Sequence, residues 1–365
     1  MPTLPAIHQL LPSLIPGDAI SNHALALRDL LRGWGFTSEI YALHCDPAYA
    51  RQARSPRQYR GDRRNLAIYH YSIGSPLGDF VLGLPDRLVL HYHNITPPAL
   101  MGEHNPRFRD ELAQGRAALP AFRRALASVA DSDYNAQDLV ALGFERVETI
   151  PVIIDFARLD RSPTNAISAE LRDRLGDDRA NLLYVGRIVP NKRQLDLIAL
   201  FAYYQRLVNP HSRLLLAGSP AHAPSYQLEL ETYCQVTGVQ AVEFLGQVSD
   251  ADLAFCYRNA RVYVSMSEHE GFGVPLLEAM HSHVPVLAYA AAAVPYTLGD
   301  AGILCHYKRY DLLAEMIDLL AQPTELRKRV IQRQLQQLAQ YDPQLVATRW
   351  HNLVTRLLDS GPADI

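Results

Sequence analysis

Apolar and polar positions alternate along this chain in one recurring rhythm. Short runs dense in leucine, β-branched and aromatic residues (LPAIHQLL, TSEIYAL, NLAIYHYS, RLVLHYHN) are separated by stretches whose apolar residues recur every three or four positions. The second kind of spacing predicts helices from Ala19 to Trp34 and from Arg107 to Ala127, and this half closes on SVADS. The rhythm then restarts with NLLYVGR, a helix from Gln194 to Val208, RLLLAG, a helix ending near Val236, and AVEFLG. It continues through helical SDADLAFCYRNA, the strand RVYVSMS, helical GVPLLEAMHSH and the strand VPVLAYA. Strands that are apolar throughout are covered on both faces, and strands separated by helices form parallel sheets with right-handed crossovers. The expected fold is α/β, two Rossmann-like domains facing each other across a cleft that holds the active site.

Between the halves, Asp155 to Ala180 is rich in Arg, Asp, Ser and Pro, and the apolar periodicity lapses there. This interval reads as the linker, with the domains at residues 1–155 and 156–342. From Asp342, the segment QLVATRWHNLVTRLL has the stripe of an amphipathic helix, over residues 343–360, that packs back on the first domain.

Composition narrows the classes. With 365 residues, 48% hydrophobic and 20% charged, the chain has the profile of a folded globular protein with no long apolar run to cross a bilayer. The start, MPTLPAIHQLLP, lacks the basic opening and cleavage site of a secretory signal, so a cytoplasmic location is expected. Cys45, Cys234, Cys256 and Cys305 are far apart, with neither a metal-knuckle spacing nor a disulfide framework. A net charge of −3 offers nucleic acid no global attraction. The exception is RQARSPRQYRGDRR, which carries six arginines between Arg51 and Arg64. Such a run is ordinarily a solvated loop; here it could also meet an anionic acceptor or lipid headgroups at the inner face of a membrane.

Two segments carry chemistry. SMSEHEGFGVPLLEAMHSHVPVLAY, from Ser265 to Tyr289, runs strand, glycine loop, helix, strand. Gly271 and Gly273 let backbone approach a ligand closely, and a helix starting near Val274 aims unpaired N–H groups at an anion. Glu270 precedes the loop and Glu278 follows eight residues later, both placed to accept hydrogen bonds from sugar or ribose hydroxyls. Alone, such a motif is weak, since a glycine-capped turn with solvated glutamates would look the same. The second segment, YVGRIVPNKRQLDLI, ends a strand at Gly186 and puts Arg187 and Lys192 at its carboxyl end, where open α/β sheets bind ligands. Both can neutralise a diphosphate, and Lys192 is one of only three lysines, with Lys308 and Lys328.

Together, EGFGVPLLE and GRIVPNK resemble the retaining glycosyltransferases of family 4, which have the GT-B fold. IPGDAISNHALALRDLLRGWG, YHN around His93 and DSDYNAQDLVALGFERVETIPVIID agree with that resemblance. It implies transfer of a hexose from a UDP- or GDP-sugar to a saccharide or lipid-linked acceptor in polysaccharide biosynthesis, with retention at the anomeric carbon. By the same resemblance, Glu270 contacts the transferred sugar, Glu278 holds the ribose, and Arg187 and Lys192 stabilise the departing diphosphate. The amides around Gly271, Phe272 and Gly273 support phosphate and sugar, Gly17 brings the first loop to the phosphates, and His93 lies beside the sugar. Gln247 and Val248, after AVEFLG, are the expected neighbours of the nucleobase. The first loop departs from the family, with Pro16-Gly17-Asp18 where many relatives have a glycine pair.

No cofactor and no metal are expected. His91 and His93 could face one way as a metal pair would, yet no carboxylate follows them in the usual spacing. Asp131 and Asp133 lie beyond a buried strand, and Asp250 and Asp252 open a helix where capping by Ser249 explains them. Two rival readings remain: a sugar-nucleotide epimerase on the same scaffold, and a non-catalytic nucleotide-sugar-binding protein.

Overall fold

The computed structural model describes residues 4–161 and 166–360. Residues 162–165, within the expected linker, lie outside the described residues. The chain divides into two compact units. Unit 1 comprises residues 1–97, 109–154 and 341–365, and unit 2 comprises 98–108 and 155–340.

Unit 1 holds a seven-stranded sheet in the order β3-β2-β1-β4-β5-β6-β7. Its strands are β1 (Ile7–Leu14), β2 (Ile40–Cys45), β3 (Ala53–Arg54), β4 (Leu66–Tyr71), β5 (Arg87–Tyr92), β6 (Ala127–Ala130) and β7 (Val147–Thr149). Every pairing is parallel. Helices α1 (Ala19–Gly33), α2 (Leu77–Leu82), α3 (Pro106–Ala118, of which unit 1 holds the part from Arg109 on) and α4 (Asp133–Ala141) make the connections. The helix expected to run to Ala127 stops at Ala118, and a tight 3-10 turn over Leu119–Arg124 follows. Pro120 explains the change, since it has no N–H for the α-helical bond and disfavours the helical conformation of the residue before it.

Unit 2 holds a six-stranded parallel sheet in the order β10-β9-β8-β11-β12-β13. These strands are β8 (Ala180–Val185), β9 (Ser212–Ala217), β10 (Val242–Gly246), β11 (Ala260–Ser265), β12 (Val286–Tyr289) and β13 (Ile303–Cys305). Its helices are α5 (Ala157–Asp160), α6 (Ala169–Arg174), α7 (Gln194–Leu207), α8 (Pro224–Thr237), α9 (Asp250–Asn259), α10 (Val274–His281), α11 (Val294–Leu298), α12 (Tyr310–Ala321) and α13 (Glu325–Leu338). The expected linker therefore contains α5 and α6. Both sheets are doubly wound, and in both the strand order reverses about the first strand, which creates a crevice at the carboxyl ends.

The last helix, α14 (Pro343–Asp359), is capped by Asp342, whose carboxylate accepts from the amides of Gln344 and Leu345. Val346, Trp350, Leu353, Val354 and Leu357 form one stripe of it and lie in the core of unit 1 with Ile7, Leu27, Ile68 and Val129. Trp350 is fully buried, so truncating it removes one of the largest side chains of that core. Among the described residues no helix is long and apolar enough to cross a membrane.

Candidate active site

In unit 2 the two motif segments meet. Strand β8 ends at Val185, and Gly186 and Gly218 bring the chain out of β8 and β9 side by side: a Cβ at Gly218 would stand 1.8 Å from the Gly186 carbonyl oxygen. That closeness sets Arg187 at the rim, exposed. A 3-10 turn over Pro190–Lys192 follows, tied to the loop after β11 by main chain and side chain. Glu268 N donates to Asn191 O at 2.9 Å, Asn191 Nδ2 donates to His269 O at 3.2 Å, and Lys192 Nζ donates to the same carbonyl at 3.1 Å. The ammonium of Lys192 also lies 2.6 Å from Glu270 Oε2. Burial and the neighbouring Arg187 push Lys192 below its ordinary pKa, while Glu270 opposes the shift. The sequence put Lys192 and Glu270 beyond the ends of two separate strands; the structure adds that they touch.

Beside this pair the chain turns through Gly273, whose φ of +92° is closed to most side chains and whose Cβ would crowd Leu276. Gly273 is the N-cap of α10 and offers no side chain to its first amides. Phe272 is buried, and its carbonyl accepts from Thr297 Oγ1 at 2.5 Å, which pins the loop from below. The result is a helix N-terminus, an ammonium and a carboxylate on adjoining loops, a combination suited to a sugar bearing a phosphate. Glu278, on the same helix, is buried and bonded within the protein. Gln247 and Val248 follow the edge strand β10, the first exposed and the second half-buried. Asp250 and Asp252 lie in the first turn of α9, capped by Ser249.

In unit 1, Gly17 lies in the turn between β1 and α1 with φ +75°. His93 follows β5 within a buried polar network whose protons can be counted. Gln9 Nε2 donates to Ala24 O at 3.0 Å, so its Oε1 accepts from His70 Nε2 at 2.9 Å. His70 Nδ1 is then an acceptor, and His93 Nε2 must donate to it at 2.9 Å. His93 Nδ1 stands 2.7 Å from Asp131 Oδ2, and His91 Nε2 donates to Asp131 Oδ1 at 2.8 Å. One proton therefore occupies the His93–Asp131 contact, and both nitrogens of His93 are engaged inside the unit. His23 adds a fourth ring, its Nδ1 accepting from Ile153 N at 2.9 Å. Burial holds His23, His70 and His91 well below the ordinary imidazole pKa.

The carboxylate missing from the local spacing of His91 and His93 comes from the next strand in the sheet, 38 residues beyond His93. His91, His93 and Asp131, and separately His23, His70 and His91, bring ligand-capable atoms within 4.8 Å of one another. The N–O separations of 2.7 and 2.8 Å at Asp131 are those of hydrogen bonds. The partner sets of Glu278 and His93 escaped sequence reasoning because nothing in the local pattern marks them.

The comparisons with known proteins bear on both units. Residues 170–337 match a family model described as glycosyl transferases group 1. The chain is 25% identical over 232 residues to O-antigen chain mannosyltransferase B of Escherichia coli, covering 63% of this chain and 58% of that protein. Matches to such relatives span little more than half of their length. Among solved structures, a sucrose-phosphate synthase from Thermosynechococcus elongatus superposes with a TM-score of 0.74 at 18% identity, covering 98% of this chain and all of that one. HepE of Anabaena, solved in complex with UDP-glucose, superposes with a TM-score of 0.69 at 20% identity, covering 97% of this chain and all of that one. At these identities the solved structures establish the fold: two parallel-sheet, Rossmann-like units of the GT-B kind.

Proposed function

We propose that this chain is a glycosyltransferase that binds a nucleotide diphosphate sugar in unit 2 and passes the sugar to an acceptor in glycan biosynthesis. The observation that carries the reading is the junction of Lys192, Glu270 and the uncapped N-terminus of α10 at the carboxyl ends of β8 and β11. The family match over residues 170–337 spans the same elements, and the mannosyltransferase relative supports sugar transfer. The finer reading is a family 4 enzyme: hexose transfer from a UDP- or GDP-sugar, with retention, to a saccharide or lipid-linked acceptor.

Breaking the sugar–phosphate bond loads charge on the diphosphate while the sugar becomes cationic. Arg187 and Lys192 answer the first change, helped by the amides of Gly271, Phe272 and Gly273; Glu270 accepts hydrogen bonds from sugar hydroxyls. Glu278 holds the ribose, Gln247 and Val248 border the base, and Gly17 remains a proposed neighbour of the phosphates. His93 remains a proposed neighbour of the transferred sugar, with its ring nitrogens bonded to His70 and Asp131; the acceptor proton passes to a phosphate oxygen of the donor. No resident metal is assigned. Arg51 to Arg64 is proposed to meet anionic lipid headgroups at the inner face of a membrane.

The test is a thermal-shift and hydrolysis panel with UDP-glucose, UDP-galactose, UDP-N-acetylglucosamine, GDP-mannose and free nucleotides, comparing wild type with Lys192→Ala. One donor should raise the melting temperature of wild type by several degrees at a hundredfold excess over Kd, and the variant far less. Turnover in the variant should fall about a hundredfold, equivalent to about 3 kcal/mol for one preorganised charge. If no nucleotide stabilises wild type at millimolar concentration, the donor site is misassigned. Donor isomerisation without acceptor would favour an epimerase, and binding without turnover under any acceptor would favour a binding protein.

A further inference from the structure

Glu278 is only 3% exposed, an unusual state for a carboxylate assigned to a ligand. Two side chains sustain it. Tyr257 donates its hydroxyl to Glu278 Oε2 at 2.9 Å, and Arg158 pairs through Nη2 with Oε1. Burial, and then the charge of Glu278, hold the Tyr257 phenol well above its ordinary pKa, so it is a permanent donor. The second terminal nitrogen of Arg158 engages Asp250 at the start of α9, so one guanidinium spans two helices of unit 2.

Arg158 belongs to α5, a single turn that is itself fastened. The Phe156 ring stacks on His281 with centroids 5.1 Å apart, His281 Nε2 lies 3.0 Å from Asp160 Oδ2, and Arg258 Nη1 reaches Leu159 O at 3.5 Å. The short helix is thus clipped to α9 and α10 by three contacts besides those of Arg158. A carboxylate this buried needs a cation and hydrogen-bond donors beside it, and Arg158 and Tyr257 supply them. It offers roughly four acceptor positions, and one internal donor on each oxygen leaves one on each, the number a vicinal diol requires.

We propose that Arg158 and Tyr257 are positioning residues for nucleotide recognition, holding the Glu278 carboxylate oriented so that its remaining acceptor positions take the two ribose hydroxyls of the donor. This rests on the donor-site reading of unit 2 and extends it to two side chains outside both sequence motifs. Arg158 acts through Glu278 and has no contact of its own with the donor.

The test is calorimetric titration of UDP and GDP, and of the 2′,3′-dideoxy counterpart of whichever binds, into wild type, Arg158→Ala, Arg158→Lys, Tyr257→Phe and Asp250→Ala. Wild type should prefer the ribonucleotide by tenfold or more. In Arg158→Ala its affinity should fall on the order of 10- to 100-fold, as expected for a lost hydrogen bond to a charged group, while the dideoxy form changes less than threefold. The preference should therefore collapse. Arg158→Lys should recover part of it, Tyr257→Phe should reduce it less, and Asp250→Ala should leave it intact. A variant that merely loosened the fold would weaken both nucleotides alike. Equal weakening, or a preference that survives Arg158→Ala, overturns the inference and leaves the donor site standing. If wild type binds neither UDP nor GDP, the donor-site reading falls and takes the inference with it.

Discussion

Both units carry polar side chains on or just beyond their central strands, but they satisfy them in different ways. In unit 1, Gln9, His70, His93, Asp131 and His91 form a line in which each donor meets an acceptor of the same unit. In unit 2, Lys192 and Glu270 keep side-chain exposures of 11% and 18%, and the helix N-terminus beside them has no side-chain cap. This line fixes the fold, because each of its five residues is bonded to a neighbour, although His91 Nδ1 and, beside the line, His23 Nε2 are buried without a hydrogen-bond partner among the described residues. A charged pair with open positions at a helix start has capacity left for a ligand. The difference is one of access, since the histidines are buried while Lys192 and Glu270 keep an exposed edge, and it is why the donor phosphates are proposed to bind in unit 2.

The comparison is easiest to break at Asp131. Asp131→Leu strands the N–H of His91 and leaves His93 Nδ1 without a partner, and with hydrogen bonds to a charged group each worth about 1.5–3 kcal/mol, unfolding in urea should show a loss of about 3–5 kcal/mol. Asp131→Asn should cost only about 1 kcal/mol. Its amide oxygen can accept from His91 Nε2 while its N–H₂ donates to a neutral His93, so one proton leaves without orphaning a group. If Asn proves as harmful as Leu, the proton count is wrong. If either variant folds yet loses nucleotide affinity as Lys192→Ala does, the contrast between the two units is wrong.

A second effect follows from the histidines. The folded-state pKa of His23, His70 and His91 is depressed by burial, so the unfolded chain binds protons there that the native state refuses. Their contribution is fully present above about pH 6.5 and is lost as pH falls toward their folded values. Each histidine costs up to about 1.4 kcal/mol per pH unit, so the urea midpoint should drop steeply between about pH 6.5 and 5.5. A midpoint flat over that window would show the cluster to be charged in the native state. His70→Gln should shed a share of the slope.

What was legible in the sequence follows from range. Most strands of both sheets could be read because fully covered parallel strands are apolar throughout, and α1, α7 and α9 because their periodicity is local; the edge strands β3, β7 and β13 were missed, being two or three residues long and only partly covered. Lys192 and Glu270 were found because each lies in a short glycine- or proline-marked loop at a strand end. The Arg158–Glu278 pair spans 120 residues and the Gln9–His70 bond 61, so no window carries either signal. Arg158 was further hidden by sitting in a polar interval that reads as linker, where the structure places a helical turn. Asp131 was seen and discounted, since its partners come from the neighbouring strand of the sheet rather than the neighbouring sequence.

The smallest effect on folding, and a third kind of polar group, belongs to the arginine loop of unit 1. Arg51, Arg54, Arg57, Arg60, Arg63 and Arg64 are all exposed on a segment that is nonetheless built. Ser55 and Gln58 form a capping box, and buried Tyr59 donates its hydroxyl to Asp86 at 2.6 Å. Arg54 meets Glu39 and Arg64 meets Asp62, pairs of little energy at such exposure. Arg51, Arg57 and Arg63 have no acidic partner among the described residues. Replacing these three with glutamine should alter stability by less than about 0.5 kcal/mol, because nothing in the fold depends on their charge. On vesicles containing phosphatidylglycerol, each arginine near the surface is worth about 1 kcal/mol, so sedimentation of the triple variant should fall at least tenfold, and added salt should weaken wild type in the same direction. Equal pelleting of the two proteins would make the run a solvated loop. A loss of stability instead would place these arginines with the polar line of unit 1, as part of the scaffold.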